Sequence, residues 1–535
     1  MKPEFESRPI DAQTDKSRSW LFVQIGVFFL LLFSYAYFWH DRDWNTASRL
    51  MLTYAIVDRG TVVMNGLDDH SRDFAYWNGK YYCDKTPGFS FLAIVPYAID
   101  RYVFGTPPHP LGRRGPELPH WPADYWTTLG VSGLLTAATG VLLARWARDL
   151  GCSPRRAVLV ALGYGLGTPA FVYATLAYGH QAAAFSLLAA FRLLWKSDRI
   201  VNVEGCLHEP TSRLNSAEPK ASEQSYASTR TNRSIAIRSS LAGFCAALAA
   251  TIELQVGPVA ALLGFYLITQ VLIRSKPKFA VAAFAAGALI PTAAFLAYNA
   301  VAFGDPFDLG YFHLKTARYA KIHSHENPLG LVAPRIEVVR ELLIGSKRGL
   351  FWYAPILLLA LPGWVALVLR RFGSVAIVSA LGSVAIFLVN AGYPEWSGGW
   401  TTGPRLLAPL IPFAMLGVAG SLALDYRGID AVAIALAATG GIVVFLFQGV
   451  GARIPDAIDD PLIRAVAPIW RGSRLPPWRG GDRFARTAFS VLFPRTEASL
   501  SSKFASARFV PLVAIQAVMI GVLVALSARK KDAKT

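Results

Sequence analysis

The run Cys83-Asp84-Lys85-Thr86-Pro87-Gly88 sets a carboxylate and an ammonium side by side just before an apolar stretch. A carboxylate can take a proton, and a compact ammonium at the depth of lipid headgroups can pair with a phosphate. The same position suits a flanking lysine that merely snorkels, so the pair alone leaves both readings open. Upstream, Asp43-Trp44-Asn45-Thr46-Ala47-Ser48-Arg49 continues through Leu50 and Val57 to Asp58-Arg59-Gly60. A helix over this stretch puts Asn45, Ser48 and Arg49 on one face by i, i+3, i+4 spacing, with Trp44, Met51 and Ala55 on another. Such a helix lies along a membrane surface, either as an interfacial anchor or as one wall of a polar site.

Other residues of the right chemistry are scattered along the chain. His180 follows Ala177-Tyr178-Gly179, and an imidazole with an ordinary pKa of about 6.5 suits proton transfer as well as a structural hydrogen bond at a helix start. Arg405 ends the segment Trp396-Ser397-Gly398-Gly399-Trp400-Thr401-Thr402-Gly403-Pro404. Its guanidinium can grip a phosphate through two N–H groups, while Trp396 and Trp400 can stack on a sugar ring or belong to an aromatic belt. Lys347 and Arg348, just ahead of Leu350, admit the same choice between phosphate binding and interfacial anchoring. His323-x-His325 is given no role. Cys83, Cys152, Cys206 and Cys245 lie far apart without C-x-x-C spacing, so neither a metal cage nor a disulfide framework is expected.

What must position these residues is a membrane. Among 535 residues, 53% are apolar and 16% charged, which describes a chain whose preferred solvent is not water. Apolar windows of membrane-crossing length recur roughly 12–13 times, at residues 20–39, 87–104, 125–147, 157–175, 180–195, 235–251, 256–273, 279–303, 350–369, 375–391, 404–424, 431–450 and 509–527. Helices are required, because backbone facing lipid must satisfy its own hydrogen bonds. The expected fold is therefore an all-α polytopic membrane protein with a surface helix in the first outer loop. The formal charge of +18 resides in short connections between windows, which points to anionic membrane lipids and phosphate-bearing lipids as partners and not to nucleic acid.

Short cytoplasmic loops collect Lys and Arg, and that rule tests the topology. If the Pro96-containing window at 87–104 does not cross, the basic stretches at 145–156, 196–238, 274–278, 370–371 and 529–534 all fall inside. The expected organisation is a cytoplasmic tail at 1–19, a membrane domain at 20–450, an outer loop at 451–508, and a last helix with a basic tail at 509–535. Within the membrane domain, 40–86 forms the candidate catalytic outer loop. Residues 197–234 are too polar to bury a core and are expected to be a disordered cytoplasmic insert.

The surface helix with Ser48-Arg49-Leu50-Met51-Leu52, followed by the acid-Lys-x-Pro element Asp84-Lys85-Thr86-Pro87, resembles the GT-C superfamily of membrane glycosyltransferases. Within it the likeness is to the bacterial relatives of aminoarabinose transferase and protein mannosyltransferase. Tyr298-Asn299, Phe303-Gly304-Asp305-Pro306, Gly310-Tyr311, Arg348-Gly349-Leu350-Phe351-Trp352-Tyr353 and Gly403-Pro404-Arg405 agree in character, over roughly residues 20–425. The resemblance implies a GT-C fold, a polyprenyl-phosphate sugar donor, a lipid, glycan or protein acceptor, and residence in a bacterial inner membrane. It implies that Lys85 and Arg49 hold the donor phosphate, with Arg405, Lys347 and Arg348 as further phosphate candidates on their own chemistry, and it sets the base near Asn45, where Asp41 and Asp43 lie just upstream and Asp43 is chosen. Asp84 and His180 are the other catalytic candidates, and Asn45, Trp396 and Trp400 face sugar or acceptor. Relatives carry a second acid after the fourth helix, where this chain reads Tyr178-Gly179-His180-Gln181. The resemblance admits a divalent metal, but that missing acid argues against a two-carboxylate metal site, and no metal ligand is assigned.

Phosphate is already a good leaving group, so the chemistry such a site must supply is positioning, deprotonation of an acceptor hydroxyl and stabilisation of charge on the departing phosphate. A single displacement inverts the anomeric centre. The competing class is a transporter or another non-catalytic membrane protein that handles lipid-linked glycans. A transporter would place ionisable groups inside its helices, and Glu253 beside Gln255 is the candidate of that kind.

Overall fold

A computed structural model of the protein describes residues 10–40, 42–67, 71–109, 122–207, 221–274, 276–424, 426–473, 484–488 and 502–528. Among these, nine helices are long and apolar enough to cross a membrane, from Ser19–Ala36 to Ser506–Ala528. Strands are confined to two-stranded ribbons, Phe38–Trp39 with Arg486–Thr487 and Ala75–Trp77 with Lys80–Tyr82. The protein is an all-α polytopic membrane protein, as its apolar windows lead one to expect.

The distribution of apolar side chains gives the solvent away. Helix Arg405–Leu422 is buried at 94% of its apolar window, whereas Phe279–Phe303, Ile429–Val450 and Ser506–Ala528 are each buried at 17%. The outer helices leave Leu289, Ile290, Ile442 and Val518 on the surface, an arrangement that hydrocarbon tolerates and water does not. The remaining apolar windows form shorter or broken helices. Residues 87–104 give the 15-residue helix Gly88–Tyr102 with Pro96 inside it. Residues 157–175 divide into Pro154–Gly167 and Ala170–Ala174, and 350–369 into Leu350–Tyr353, a 3-10 turn at Pro355–Leu359 and Ala360–Leu369.

Glycines let helices meet backbone to backbone where the site needs close packing. A Cβ on Gly243 would collide with the Phe284 backbone, and one on Gly287 with the Ser240 backbone, so Ala221–Ile252 and Phe279–Phe303 interlock at two points. Ala221–Ile252 also packs along His180–Leu207, forming a helical hairpin whose open ends bring His180 and Glu253 together. The insert expected to be disordered is corrected here in part. Its flanks are helical, since His180–Leu207 and Ala221–Ile252 run on into it, while 208–220 lie outside the described residues. Composition forbids a buried core there, but a helix that extends an already nucleated one needs none.

Two elements hold the first loop in place. Asn78 and Gly79, both with positive φ (46° and 76°), make the tight turn of the ribbon Ala75–Trp77 and Lys80–Tyr82, the conformation an Asn-Gly pair favours. Loop 304–349 then fastens it from outside. Lys315 donates its N–H to Phe74 O (3.2 Å), and Thr316 donates its hydroxyl to Arg72 O (3.2 Å).

Candidate active site

Helix Trp44–Arg59 starts at Asp43, whose carboxylate accepts the Thr46 N–H at 2.7 Å while Asp43 N–H donates to the Thr46 hydroxyl at 2.9 Å. This reciprocal capping satisfies otherwise orphaned donors of the first turn. Thr46 to Ala55 are buried, so the helix is enclosed by protein and only Trp44, 52% exposed, is placed to act as an anchor. Of the two readings left open by its spacing, the wall of a polar site is the one this burial fits.

Ser48 projects from that helix and donates to Asp84 Oδ1 at 2.8 Å. The other oxygen of Asp84 takes Lys85 Nζ, and Asp73 Oδ2 lies 3.7 Å from the same ammonium. Asp84 is 1% exposed, so both its oxygens are spent inside the protein. Burial disfavours the Lys85 ammonium, but Asp84 and Asp73 more than offset this and lift its pKa above the ordinary lysine range. The close approach of Gly310 to the Cys83 and Asp84 backbone fixes the strand from the other side.

Arg49, 2% exposed, donates to Asn45 Oδ1 and, at 2.7 Å, to Glu253 Oε1. Glu253 sits in extended backbone at the break between Ala221–Ile252 and the helical turn Leu254–Val256. Two contacts bind that break to the Asp84-Lys85 strand: Thr86 donates its hydroxyl to Ile252 O at 2.8 Å, and Gly88 lies against the Thr251 backbone too closely for a Cβ. His180 Nδ1 is 3.5 Å from Glu253 Oε1. A Cβ at Gly179 would strike that same oxygen, so glycine there admits the carboxylate. A carboxylate from a distant part of the chain thus stands beside the Tyr178-Gly179-His180 segment.

A second group of charges adjoins the first. Tyr178 donates its hydroxyl to Asp43 Oδ2, Arg453 Nη1 stands 3.6 Å from that oxygen, and the Arg405 guanidinium lies over the Tyr178 ring, 4.8 Å from its centre. Burial would raise the Asp43 pKa, yet Arg453, the Tyr178 hydroxyl and Thr46 together outweigh it and hold the carboxyl below its ordinary value. Asp73 goes the other way. Burial raises its pKa, Lys85 lowers it, and Asp84 and Asp43 raise it again, for a net upward shift. Two donors in this region, Arg49 Nε and Arg405 Nε, are buried with no acceptor among the described residues.

The remaining sequence candidates fall outside this convergence. Arg348, 1% exposed, donates to the carbonyls of Ser397 (2.7 Å), Gly399 (2.8 Å), Thr401 (3.2 Å) and Lys347 (3.1 Å) and to Asp456 (3.2 Å). Its guanidinium ties down the loop that carries Arg405 and is committed to protein acceptors, which corrects its expected place on a phosphate. Lys347 Nζ is 3.6 Å from Asp456 and 3.7 Å from Asp459. Trp396 packs against the core, and Trp400 is 53% exposed. The sequence reading missed Asp73 and Arg453, and it set Glu253 in the transporter reading. A signal for Glu253 was present, because Gly257-Pro258 soon after it breaks the apolar run.

Among the described residues no group of three or more His, Cys, Asp and Glu side chains could hold a metal ion. Asp73 and Asp84 both face the Lys85 ammonium, which stands between them where a cation would otherwise sit.

No family model matches the sequence, and no curated protein sequence matches it. The structure is similar to the crystal structure of ArnT from Cupriavidus metallidurans in the apo state, at 16% identity and a TM-score of 0.45 over 96% of this chain and 77% of that one. ArnT bound to undecaprenyl phosphate gives 14% identity and a TM-score of 0.43 over the same shares. The archaeal oligosaccharyltransferase AglB from Archaeoglobus fulgidus, solved with an inhibitory peptide and a dolichol-phosphate, is similar at 12% identity and a TM-score of 0.42, over 80% of this chain and 56% of that one.

Proposed function

We propose that this chain is a GT-C-type membrane glycosyltransferase, moving a sugar from a polyprenyl-phosphate donor to an acceptor hydroxyl at the extracytoplasmic surface of a bacterial inner membrane, with inversion. One observation carries the reading. Arg49 and Arg405 each keep a buried Nε–H without an acceptor among the described residues, in the same cluster as the Lys85 ammonium. A buried donor left unpaired costs about 1–3 kcal/mol, and a phosphate oxygen is the acceptor that guanidinium geometry suits best. Gly398, at φ 72°, leaves room beside Arg405 Nε that a side chain would fill.

Each side chain then has a task. Lys85, Arg49 and Arg405 hold the phosphate and neutralise the charge that develops as it leaves. Asp84 and Ser48 fix Lys85, and Glu253 with Asn45 fixes Arg49. Arg348 shapes the loop that presents Arg405, and Trp400 offers its face to the sugar. Glu253, the residue a transporter reading would place at mid-membrane, is instead paired within this cluster.

The test is direct. Full-length protein in lipid nanodiscs, titrated with undecaprenyl phosphate and with undecaprenol, should bind the phosphate in preference. A deletion strain should lack one sugar when its glycolipids and envelope glycans are compared by mass spectrometry. Equal affinity for the two lipids, or an unchanged glycan profile with a transport defect, would refute the reading.

A further inference from the structure

Among the described residues Asp84, Asp43, Glu253 and Asp73 stand at the proposed phosphate site, and Asp73 is the one whose carboxylate accepts no hydrogen bond. Asp84 is closed by Ser48 and Lys85. Asp43 caps a helix with one oxygen and holds Tyr178 with the other. Glu253 is drawn to Arg49 and lies 6% exposed. The Asp73 carboxylate accepts no hydrogen bond among the described residues, its nearest charge is Lys85 Nζ at 3.7 Å, and its side chain is 21% exposed. A proton acceptor needs an unoccupied lone pair within reach of the reacting hydroxyl, and a carboxylate already saturated with donors is a poor base.

Its backbone is held as a catalytic group requires. The Ser71 hydroxyl donates to Trp44 O (2.7 Å) and accepts Asp73 N–H (3.0 Å), which fastens Asp73 to the first turn of helix Trp44–Arg59. The carbonyls on either side, of Arg72 and Phe74, are both taken by loop 304–349. The carboxylate therefore stands on a fixed support, beside the cation that would hold the donor phosphate.

We infer that Asp73 is the general base of the transfer proposed above, accepting the proton of the acceptor hydroxyl. In that step the hydroxyl proton passes to the Asp73 carboxylate as the acceptor oxygen forms a bond to the anomeric carbon. The bond from that carbon to the phosphate oxygen breaks, and its electron pair leaves with the prenyl phosphate against Lys85, Arg49 and Arg405. Asp73 later returns its proton to water. The direction of its pKa, pushed up mainly by burial, suits a base better than the depressed Asp43.

The inference rests on the transferase reading, and the experiment separates the two. Undecaprenyl phosphate binding is measured for wild-type and Asp73→Asn protein in nanodiscs, and the same variants are returned to the deletion strain for glycan mass spectrometry. Asp73→Asn should bind the lipid phosphate within about 2-fold of wild type, since Lys85 keeps Asp84, yet lose transfer by about 100-fold or more. Asp73→Glu should recover part of the product. An Asp73→Asn chain that binds and restores the glycan fully would overturn the role of Asp73 while leaving the transferase reading intact. A wild-type chain that ignores the phosphate would overturn both, and a variant that loses binding and transfer together would make Asp73 a structural residue.

Discussion

Arg49 Nη2 and Glu253 Oε1 meet at 2.7 Å across a separation of 204 residues, almost without solvent. Removing one partner of such a pair leaves an uncompensated buried charge, which costs about 3–5 kcal/mol. Arg49→Gln or Glu253→Gln alone should therefore lower the unfolding temperature sharply in nanodiscs. The double variant should recover most of that loss and still bind undecaprenyl phosphate weakly, because Arg49 is one of the proposed phosphate ligands. A double variant destabilised by the sum of the two single losses would show that the pair is not coupled.

Arg405 tests geometry as distinct from charge. Arg405→Ala should weaken undecaprenyl phosphate binding by about 10- to 100-fold, the equivalent of one charge-assisted contact of about 1.5–3 kcal/mol. Arg405→Lys keeps the charge but not the Nε–H of the planar fork, and should recover little. Isothermal titration of both variants decides it, and full recovery by lysine would reduce the site to a point charge.

Gly179 tests the packing that admits Glu253. Gly179→Ala places a methyl on Glu253 Oε1, and should cost about 1–3 kcal/mol and impair glycan transfer. Gly60 is the control, since its φ of 61° strains an alanine but nothing lies within 4 Å of the added methyl. Gly60→Ala should cost about 1 kcal/mol and leave transfer alone. Thermal unfolding with complementation separates the two outcomes.

The upward shift at Asp73 has a sign in stability. A carboxyl whose folded pKa exceeds its unfolded value favours the fold while protonated, and that benefit is lost as pH rises through the folded pKa. At neutral pH the ionised group is thus a burden, and Asp73→Asn should melt higher than wild type. The difference should close as pH falls toward the ordinary aspartate value of about 3.9. A variant that melts lower at pH 7 would contradict the shift.

Much of this was readable from the chain. Apolar windows located the helices, Asn78-Gly79 marked its turn, and Asp84-Lys85 announced the centre of the site. What escaped depends on contacts that sequence spacing does not carry. Asp73 gains its meaning from a lysine twelve positions on and from carbonyls fastened by loop 304–349. Arg348 looks like a phosphate ligand until its acceptors are seen to be backbone carbonyls of 397–401, which have no residue signature. Asp43 reads as a base, yet an aspartate three residues before a threonine is also a helix cap, and the cap is what its first oxygen serves.

The helical hairpin of His180–Leu207 and Ala221–Ile252 works as a spacer. A helix of 28 residues is about 42 Å long, more than the roughly 30 Å thickness of a bilayer's hydrocarbon. Its open end holds His180 against Glu253, so Leu207 and Ala221 stand a full helix length from that pair. A change of charge at either of those two helix ends should therefore leave the candidate site's geometry as it is, because the whole length of both helices separates them from His180 and Glu253.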